Sequence, residues 1–412
     1  MNLPFRFEFI PYPLWRRKSM PAQVGALLAG EADRHPPATP VEMAHYLTRW
    51  RLLPTGMDLV AARAALKTLT PTIETVALDA KPATGTQPVR LPAQWQPMEA
   101  VIVSFPVLYP PLWKTHIALI EAISSVARVD VLIPSPLWAG AIWLWLTERG
   151  QAKLDNVRLL DLPTDDIWVR DYGPLIGLDR QGQRVAVSAI YDPLDTYPQT
   201  RDNAMPERWA AHRAMPCCPL DLHMEGGNVW SDGAGTLLMS DDLFARHPQF
   251  SREDVVKRLH QAFVFDRLIT VPPLAYEETR HVDLLVKLAD AHTVLISAPT
   301  PPINRARLRE AAAILSRETN AQGQRYRVIE LPTPAPYLNW FVYPIWRSYT
   351  NALTVNGQVL VPTFGVPSDA QALAIYRDAM PDHAIIPIDC SASANGGGAV
   401  HCLTKEVPSP LP

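Results

Sequence analysis

The chain has 412 residues, 48% of them apolar and 19% charged, with a formal net charge of −3 at pH 7. That is enough apolar material for a sizeable core, in one large domain or two to three ordinary ones, and it excludes a disordered chain. A pI near 6.4 argues against a nucleic-acid or anionic-membrane partner.

Cysteines stand at positions 217, 218, 390 and 402. The adjacent pair cannot readily bridge and no C-x-x-C spacing occurs, so reduced thiols and a cytoplasmic address are expected. Trp15-Arg16-Arg17-Lys18 precedes only a short apolar stretch, Val24 to Ala29, which does not make a secretory signal. The longest apolar stretch, Val131 to Leu146, contains two prolines and a serine. It is too short and too broken to span a bilayer and reads as a strand, a turn and a buried helix.

Residues 1–90 differ from the rest. They read as a partly helical N-terminal extension of unassigned role, with helices over Val41 to Arg51 and Leu59 to Thr68 and a linker from Lys81 to Pro88. Over 91–412 short apolar runs alternate with helical segments at intervals of roughly 50 to 60 residues. The expected strands are Ala100 to Val103, Val129 to Ile133, Pro174 to Gly177, Val185 to Tyr191, Thr236 to Met239, a strand near Leu268, Val282 to Lys287, Thr293 to Ser297, Leu353 to Val355, Val359 to Val361, Ala384 to Ile388 and Ala399 to Cys402. The expected helices lie near His116 to Val126 and over Arg252 to Phe263, Asn304 to Thr319 and Asp369 to Met380. Such a period suggests a repeat architecture in which no unit buries its apolar face alone. A doubly wound α/β sheet competes with it, since spacing does not separate the two.

Four stretches carry chemistry. In Asp165-Asp166-Ile167-Trp168-Val169-Arg170-Asp171-Tyr172-Gly173-Pro174, acids and an arginine surround a tryptophan. The bland reading is a solvated ion-pair cluster; the functional one is a carboxylate, Asp171, holding a cation against Trp168. In His223-Met224-Glu225-Gly226-Gly227-Asn228, Glu225 precedes a glycine pair that lets backbones approach closely. In Arg280-His281-Val282-Asp283, a strand would place His281 and Asp283 on one face as a proton-transfer pair. Last comes Asn395-Gly396-Gly397-Gly398-Ala399-Val400-His401-Cys402, a thiol presented after a glycine loop, preceded by Ser348-Tyr349-Thr350-Asn351. Cys402 alone could be an inert buried cysteine.

Together these supply a thiol, a histidine and several carboxylates. They could ligate a metal, but no compact ligand spacing is present, so neither metal nor cofactor is expected. Acids near Cys402 should raise its pKa, which makes sense if the substrate is itself cationic. A guanidinium fits: it is planar, permanently charged and forms forked hydrogen bonds to carboxylates.

The four stretches, in this order, resemble those of the agmatine deiminases and the related bacterial peptidyl-arginine deiminases, over about residues 94 to 409. The resemblance implies a five-fold pseudosymmetric α/β-propeller (pentein) of ββαβ-like units with a central active site. It implies Cys402 as nucleophile, His281 as general acid/base with Glu225 beside it, and Asp171 and Asp283 as guanidinium clamps. Trp168 would line the channel, with Asp166, Arg170, Gly398 and Asn351 also at the substrate. Arg280 stands where a small or amide residue is usual and Trp230 where a small polar residue or histidine is usual; Arg280 is expected to point away from the pocket. The expected activity is hydrolysis of agmatine to N-carbamoylputrescine and ammonia. Peptidyl-arginine or free-arginine deimination, amidino transfer and a non-catalytic binding module are the alternatives. The expected partner is a small cationic guanidino substrate, with a homo-oligomer left open.

Overall fold

The computed structural model describes residues 37–85, 88–106, 112–191, 199–277, 279–335, 337–339 and 343–410. Trp15 to Lys18, Val24 to Ala29 and Glu278 lie outside the described residues.

One pattern recurs in five sheets. An opening strand runs antiparallel to a second strand, a helix crosses over, and a third strand lies parallel to the second. The second unit is Leu175–Leu178, Arg184–Ile190, the helix Thr200–His212 and Cys217–His223. The third is Trp230–Ser231, Thr236–Ser240, the helix Arg252–Ala262 and Arg267–Val271. Val286–Leu288, Thr293–Ser297, the helix Arg305–Arg317 and Arg327–Leu331 form the fourth. Leu353–Val355, Gln358–Thr363, the helix Ser368–Ala379 and Ala384–Asp389 form the fifth. In the first unit Met98–Ser104, the helix Trp113–Ser124 and Arg128–Ile133 lack an opening strand of their own. The last strand of the chain, Lys405–Pro408, supplies it by pairing antiparallel with Met98–Ser104. The chain is therefore an α/β-propeller of five ββαβ units whose two ends close on one sheet.

Local chemistry explains the element ends. The helix Pro136–Arg149 starts with proline in its first turn and stops at Gly150, whose φ of 63° is left-handed, the usual asymmetry of helix ends. The stretch Val131 to Leu146 is thus the strand, turn and buried helix that its composition suggested. A reciprocal capping box between Ser251 and Asp254 opens the helix Arg252–Ala262.

The helices Pro40–Arg49 and Leu59–Thr68 are capped by Thr39 and Asp58. Their buried Met43, Leu47, Ala62 and Leu66 share one apolar cluster with Trp138 and Ile142 of the helix Pro136–Arg149, and Trp145 Nε1 donates to the Leu52 carbonyl at 2.6 Å. Ile73–Thr75 adds a strand to the first sheet beside Val157–Asp161. No helix among the described residues is long and apolar enough to cross a membrane.

Two expected strands are corrected. Val282 to Lys287 begins instead with one tight helical turn, Val282–Leu284, and the strand starts only at Val286. Arg280 takes a left-handed φ of 57°, the Glu277 carboxylate binds the N–H groups of Thr279 and Arg280, and Asn228 Oδ1 accepts from the Val282 N–H at 3.2 Å. With those donors diverted, no ladder can form there. Ala399 to Cys402 is likewise a turn, because Asn351 Oδ1 accepts from the N–H groups of Ala399 and Cys402 at 3.0 and 3.3 Å.

Leu47 is fully buried in the cluster that joins the early helices to the first unit. Leu47→Ala should cost about 2–5 kcal/mol and lower the melting temperature of the whole chain in a single transition, read in parallel by circular dichroism and tryptophan fluorescence. A separate early transition would show that residues 40–76 melt on their own.

Candidate active site

Each unit carries its chemistry in the few residues before its opening strand. Asp171 precedes Leu175–Leu178, and Glu225 precedes Trp230–Ser231. His281 and Asp283 precede Val286–Leu288, Asn351 precedes Leu353–Val355, and His401 with Cys402 precedes Lys405–Pro408. One position in the repeat thus contributes five times, and the side chains meet in a buried cluster.

At its centre His281 Nε2 lies 2.6 Å from Glu225 Oε2, while His281 Nδ1 is 3.4 Å from Asp171 Oδ1. Asp171 Oδ1 also accepts from the Gly227 N–H at 3.1 Å. Asp283 Oδ2 sits 2.7 Å from His401 Nδ1 and 3.8 Å from the Cys402 thiol. The Asn351 amide donates to Cys402 Sγ at 3.2 Å. His281 Nδ1 and Asp283 Oδ1 are buried with no hydrogen-bond partner among the described residues. Unmet buried groups of this kind are costly unless a ligand satisfies them.

The electrostatics follow from burial. Desolvation, aided by the charges of Asp283 and Asp171, pushes the Cys402 thiol well above its ordinary pKa, with Asn351 pulling back. Burial raises Asp283 to about 7, opposed by His281 and aided by Asp171. Burial also disfavours charge on His281, but Asp171 and Glu225 outweigh it and hold the imidazole at about 9. Glu225, despite burial, is drawn down to about 2 by Arg246 and His281. At neutral pH the cluster therefore holds an imidazolium, ionised Glu225 and a protonated thiol.

Two glycines set the spacing. A Cβ at Gly227 would lie 2.5 Å from His281 Nδ1 and 2.7 Å from Asp171 Oδ1. One at Gly398 would lie 2.3 Å from the Trp168 ring and 2.9 Å from Cys402 Cβ, so Trp168 packs across the glycine beside the thiol. Both are closer than a real Cβ can approach.

Cys402, His281, Glu225, Asp171, Asp283, Trp168, Gly398 and Asn351 are all brought together here. His281 and Asp283 do not form the expected strand-face pair: His281 partners Glu225 and Asp171, and Asp283 partners His401. Arg170 does not offer its guanidinium to the site. It is fully buried and forks onto Glu406, with Nε on the His401 carbonyl at 3.2 Å. Asp166 accepts from the Ile167 N–H at 2.7 Å, and burial with the charge of Asp202 raises its carboxyl well above the usual range, which makes it a poor ligand for a cation. Asn351 holds the thiol and its turn.

Several residues escaped the sequence reading. Arg246 pairs with Glu225 at 2.7 Å and with Asp242 at 2.6 Å, and Asp242 in turn holds the half-exposed Arg280 at 3.1 Å. Gln94, Trp230 and Lys287 gather around His401. Among these only His401, next to the thiol, and Trp230, which departs from the residue usual at its position, had a signal in the sequence. No three His, Cys, Asp or Glu side chains among the described residues converge to hold a metal ion.

A five-unit α/β-propeller with thiol, imidazole and carboxylates at its centre defines a guanidine-modifying hydrolase of the deiminase type. The chain belongs to the family of Porphyromonas-type peptidyl-arginine deiminases, whose profile matches residues 90–408. It is 28% identical over 361 residues to the agmatine deiminase of Pseudomonas fluorescens strain SBW25, covering 78% of this chain and 95% of that protein. It is 27% identical over 364 residues to the agmatine deiminase of Pseudomonas aeruginosa strain UCBPP-PA14, covering 78% and 96%. Among solved structures, an agmatine deiminase of Enterococcus faecalis superposes with a TM-score of 0.71 at 21% identity, covering 81% of this chain and 100% of that one. That of C. jejuni superposes with a TM-score of 0.65 at 18% identity, covering 79% and 97%. These two likenesses speak for the fold.

Gly227→Ala forces His281 and Asp171 apart. A displacement of about 1 Å at reacting groups costs on the order of a hundredfold in rate. The variant should therefore lose about that factor in kcat/KM while its melting temperature stays close to that of the parent; an unchanged kcat/KM would remove Gly227 from the geometry.

Proposed function

We propose that the protein hydrolyses the guanidino group of agmatine to N-carbamoylputrescine and ammonia, with Cys402 as nucleophile. The observation that carries the reading is the buried acceptor Asp283 Oδ1, without a hydrogen-bond partner among the described residues, beside a thiol whose own surroundings resist its ionisation. Two carboxylates around a buried thiol favour a cation between them. A guanidinium would take N–H···O bonds to Asp171 and Asp283 and bring its carbon to Sγ.

The steps balance as follows. As the cation binds, its charge lowers the thiol pKa and Cys402 releases its proton to solvent; Sγ then bonds to the guanidinium carbon as the C–N π pair moves onto nitrogen, leaving a neutral tetrahedral carbon. His281 protonates one nitrogen, the C–N bond breaks, and ammonia leaves. The enzyme then carries an S-linked thiouronium. Water enters, His281 takes its proton, oxygen bonds to the carbon, and the C–S bond breaks to return the thiol and a ureido product. Glu225, itself fixed by Arg246, keeps His281 oriented and charged. The reaction needs no metal or cofactor.

The names of the curated relatives favour agmatine as substrate. Arg280 supports this: its guanidinium is engaged by Asp242, so its charge is matched locally and does not bar a distal ammonium. The family's name favours a second reading, an arginine side chain in a peptide. All four cysteines are free, in keeping with a reducing, cytoplasmic setting.

Ureido-product formation from agmatine, free arginine and an arginine-containing peptide, measured side by side, tests the substrate. Agmatine should give the highest kcat/KM, and a clear preference for either arginine form overturns the choice. Cys402→Ala should bind agmatine yet form no product, and product at the parental rate would end the thiol mechanism. Adding a primary amine should give ureido product and no transferred amidine; amidine transfer would identify an amidinotransferase.

The pH profile is a further check. Asp283 is raised to about 7, so its carboxylate is present only above that pH; His281 is raised to about 9, so its proton is lost only above that. The kcat/KM for agmatine should rise through about pH 7 and fall through about pH 9. A flat profile between pH 6 and 10 would contradict these assignments.

A further inference from the structure

We infer that Gln94 is a positioning residue that selects the tautomer of His401 and thereby keeps Asp283 a hydrogen-bond acceptor at the reacting centre. This rests on the deiminase reading above only for what Asp283 does to substrate.

The inference follows from which atoms can donate. The Thr354 backbone N–H can only donate, and it points at Gln94 Oε1 at 3.2 Å. Lys287 Nζ adds a second donor to the same oxygen at 3.3 Å. Those two contacts fix the amide with its oxygen on that side. Gln94 Nε2 then faces His401 Nε2 at 2.9 Å and Glu406 Oε2 at 3.4 Å. An amide N–H donates, so His401 Nε2 must be bare and the ring proton sits on Nδ1. That N–H is 2.7 Å from Asp283 Oδ2 and donates to it. The second oxygen, Oδ1, is left without a partner among the described residues.

The surroundings hold this arrangement. His401 is fully buried, and burial with the charges of Arg170, Lys287, Lys405 and His281 keeps its pKa well below the ordinary value, so the ring is neutral. Trp230 stacks on it with centroids 4.5 Å apart and planes 27° apart, which restrains a ring flip. Trp230 is the aromatic that departs from the residue usual at its position, and here it has a definite place. Asp283 is faced by His281, Asp171, Arg170 and Glu277 through their charges, by Lys287, and by His401 and Cys402 in direct contact. Asp171 and Glu277 press it toward protonation, His281 and Arg170 against. Among the described residues the His401 N–H is its one directional donor within 3 Å.

Without the Gln94 donor, His401 can shift its proton to Nε2, toward the small cavity lined by Gln94, Arg170, Trp230, Lys405 and Glu406. Nδ1 would then present a lone pair to Asp283. A carboxylate cannot accept from it, so Asp283 would hold a proton and lose its pairing with a guanidinium.

The test is Gln94→Met, which keeps length and removes the donor. The acid limb of kcat/KM for agmatine should move up by roughly one pH unit, as expected for a lost hydrogen bond to a carboxylate. At pH 7 KM should rise more than kcat falls, and activity should recover toward pH 9. An unmoved acid limb with a uniform fall in kcat would show a merely structural role and overturn the proposal. Independently, 15N NMR of histidine-labelled protein reads the tautomer directly, whatever the substrate proves to be. His401 should be the Nδ1–H form in the parent and change in Gln94→Met; an Nε2–H form in the parent overturns the proposal. If agmatine is not turned over while the Nδ1–H form is seen, the substrate reading fails and the relay stands.

Discussion

Everything at the centre of this protein depends on placing three carboxylates, an imidazole and a thiol in a space that excludes water. Asp171, Asp283 and Glu225 are all buried, and an isolated carboxylate in such a place would be neutral or prohibitively costly. The cluster is tolerable because its charges are compensated unevenly. Glu225 has both Arg246 and His281 and stays ionised, whereas Asp283 has a weaker set of partners and sits near neutrality. The uneven compensation leaves a deficit of positive charge beside Cys402. A guanidinium would supply it, so binding the substrate and activating the thiol become one event.

The propeller is what makes such a cluster buildable. Each ββαβ unit ends one loop at the same place in its repeat, and five loops bring seven side chains, Asp171, Glu225, His281, Asp283, Asn351, His401 and Cys402, to one point. The closing strand Lys405–Pro408 matters for the same reason. By pairing with Met98–Ser104 it fixes the turn carrying His401 and Cys402 three residues upstream, so the nucleophile is positioned by a completed sheet rather than by a free terminus. The layer beneath, with Arg170 forked onto Glu406 and Gln94 between His401 and Lys287, ties the first, second and fourth units together under the reacting groups.

The sequence revealed the reacting groups better than their supports. Asp171, Glu225 and Cys402 stand next to glycines or turns, which a pocket-facing acid or thiol needs, and the resemblance of the four stretches assigned them at once. Thr293–Ser297 and Leu353–Val355 were legible as apolar runs because they are buried on both faces. His281 to Leu284 misled for a local reason: an apolar run after a histidine reads as a strand, but Asn228 takes one of its donors from 54 residues away. Arg246 and Gln94 gave no signal, since each acts on a neighbour distant in the chain, and Trp230 stood out only as a departure, its place against His401 being a tertiary contact. Lys405–Pro408 was missed too, because its partner strand is at the other end of the catalytic region. Charge compensation and ring closure are tertiary facts, and a local pattern does not carry them.

The central claim is that Cys402 forms a covalent bond to the guanidino carbon. Acid quenching of enzyme mixed with agmatine during the first turnovers, followed by peptide mass spectrometry, tests this directly. The account predicts a transient thiouronium adduct on the peptide bearing Cys402, forming with the release of ammonia and decaying as the ureido product appears. Turnover with Cys402 unmodified at every time sampled, or an adduct on Cys390, Cys217 or Cys218 instead, would contradict it.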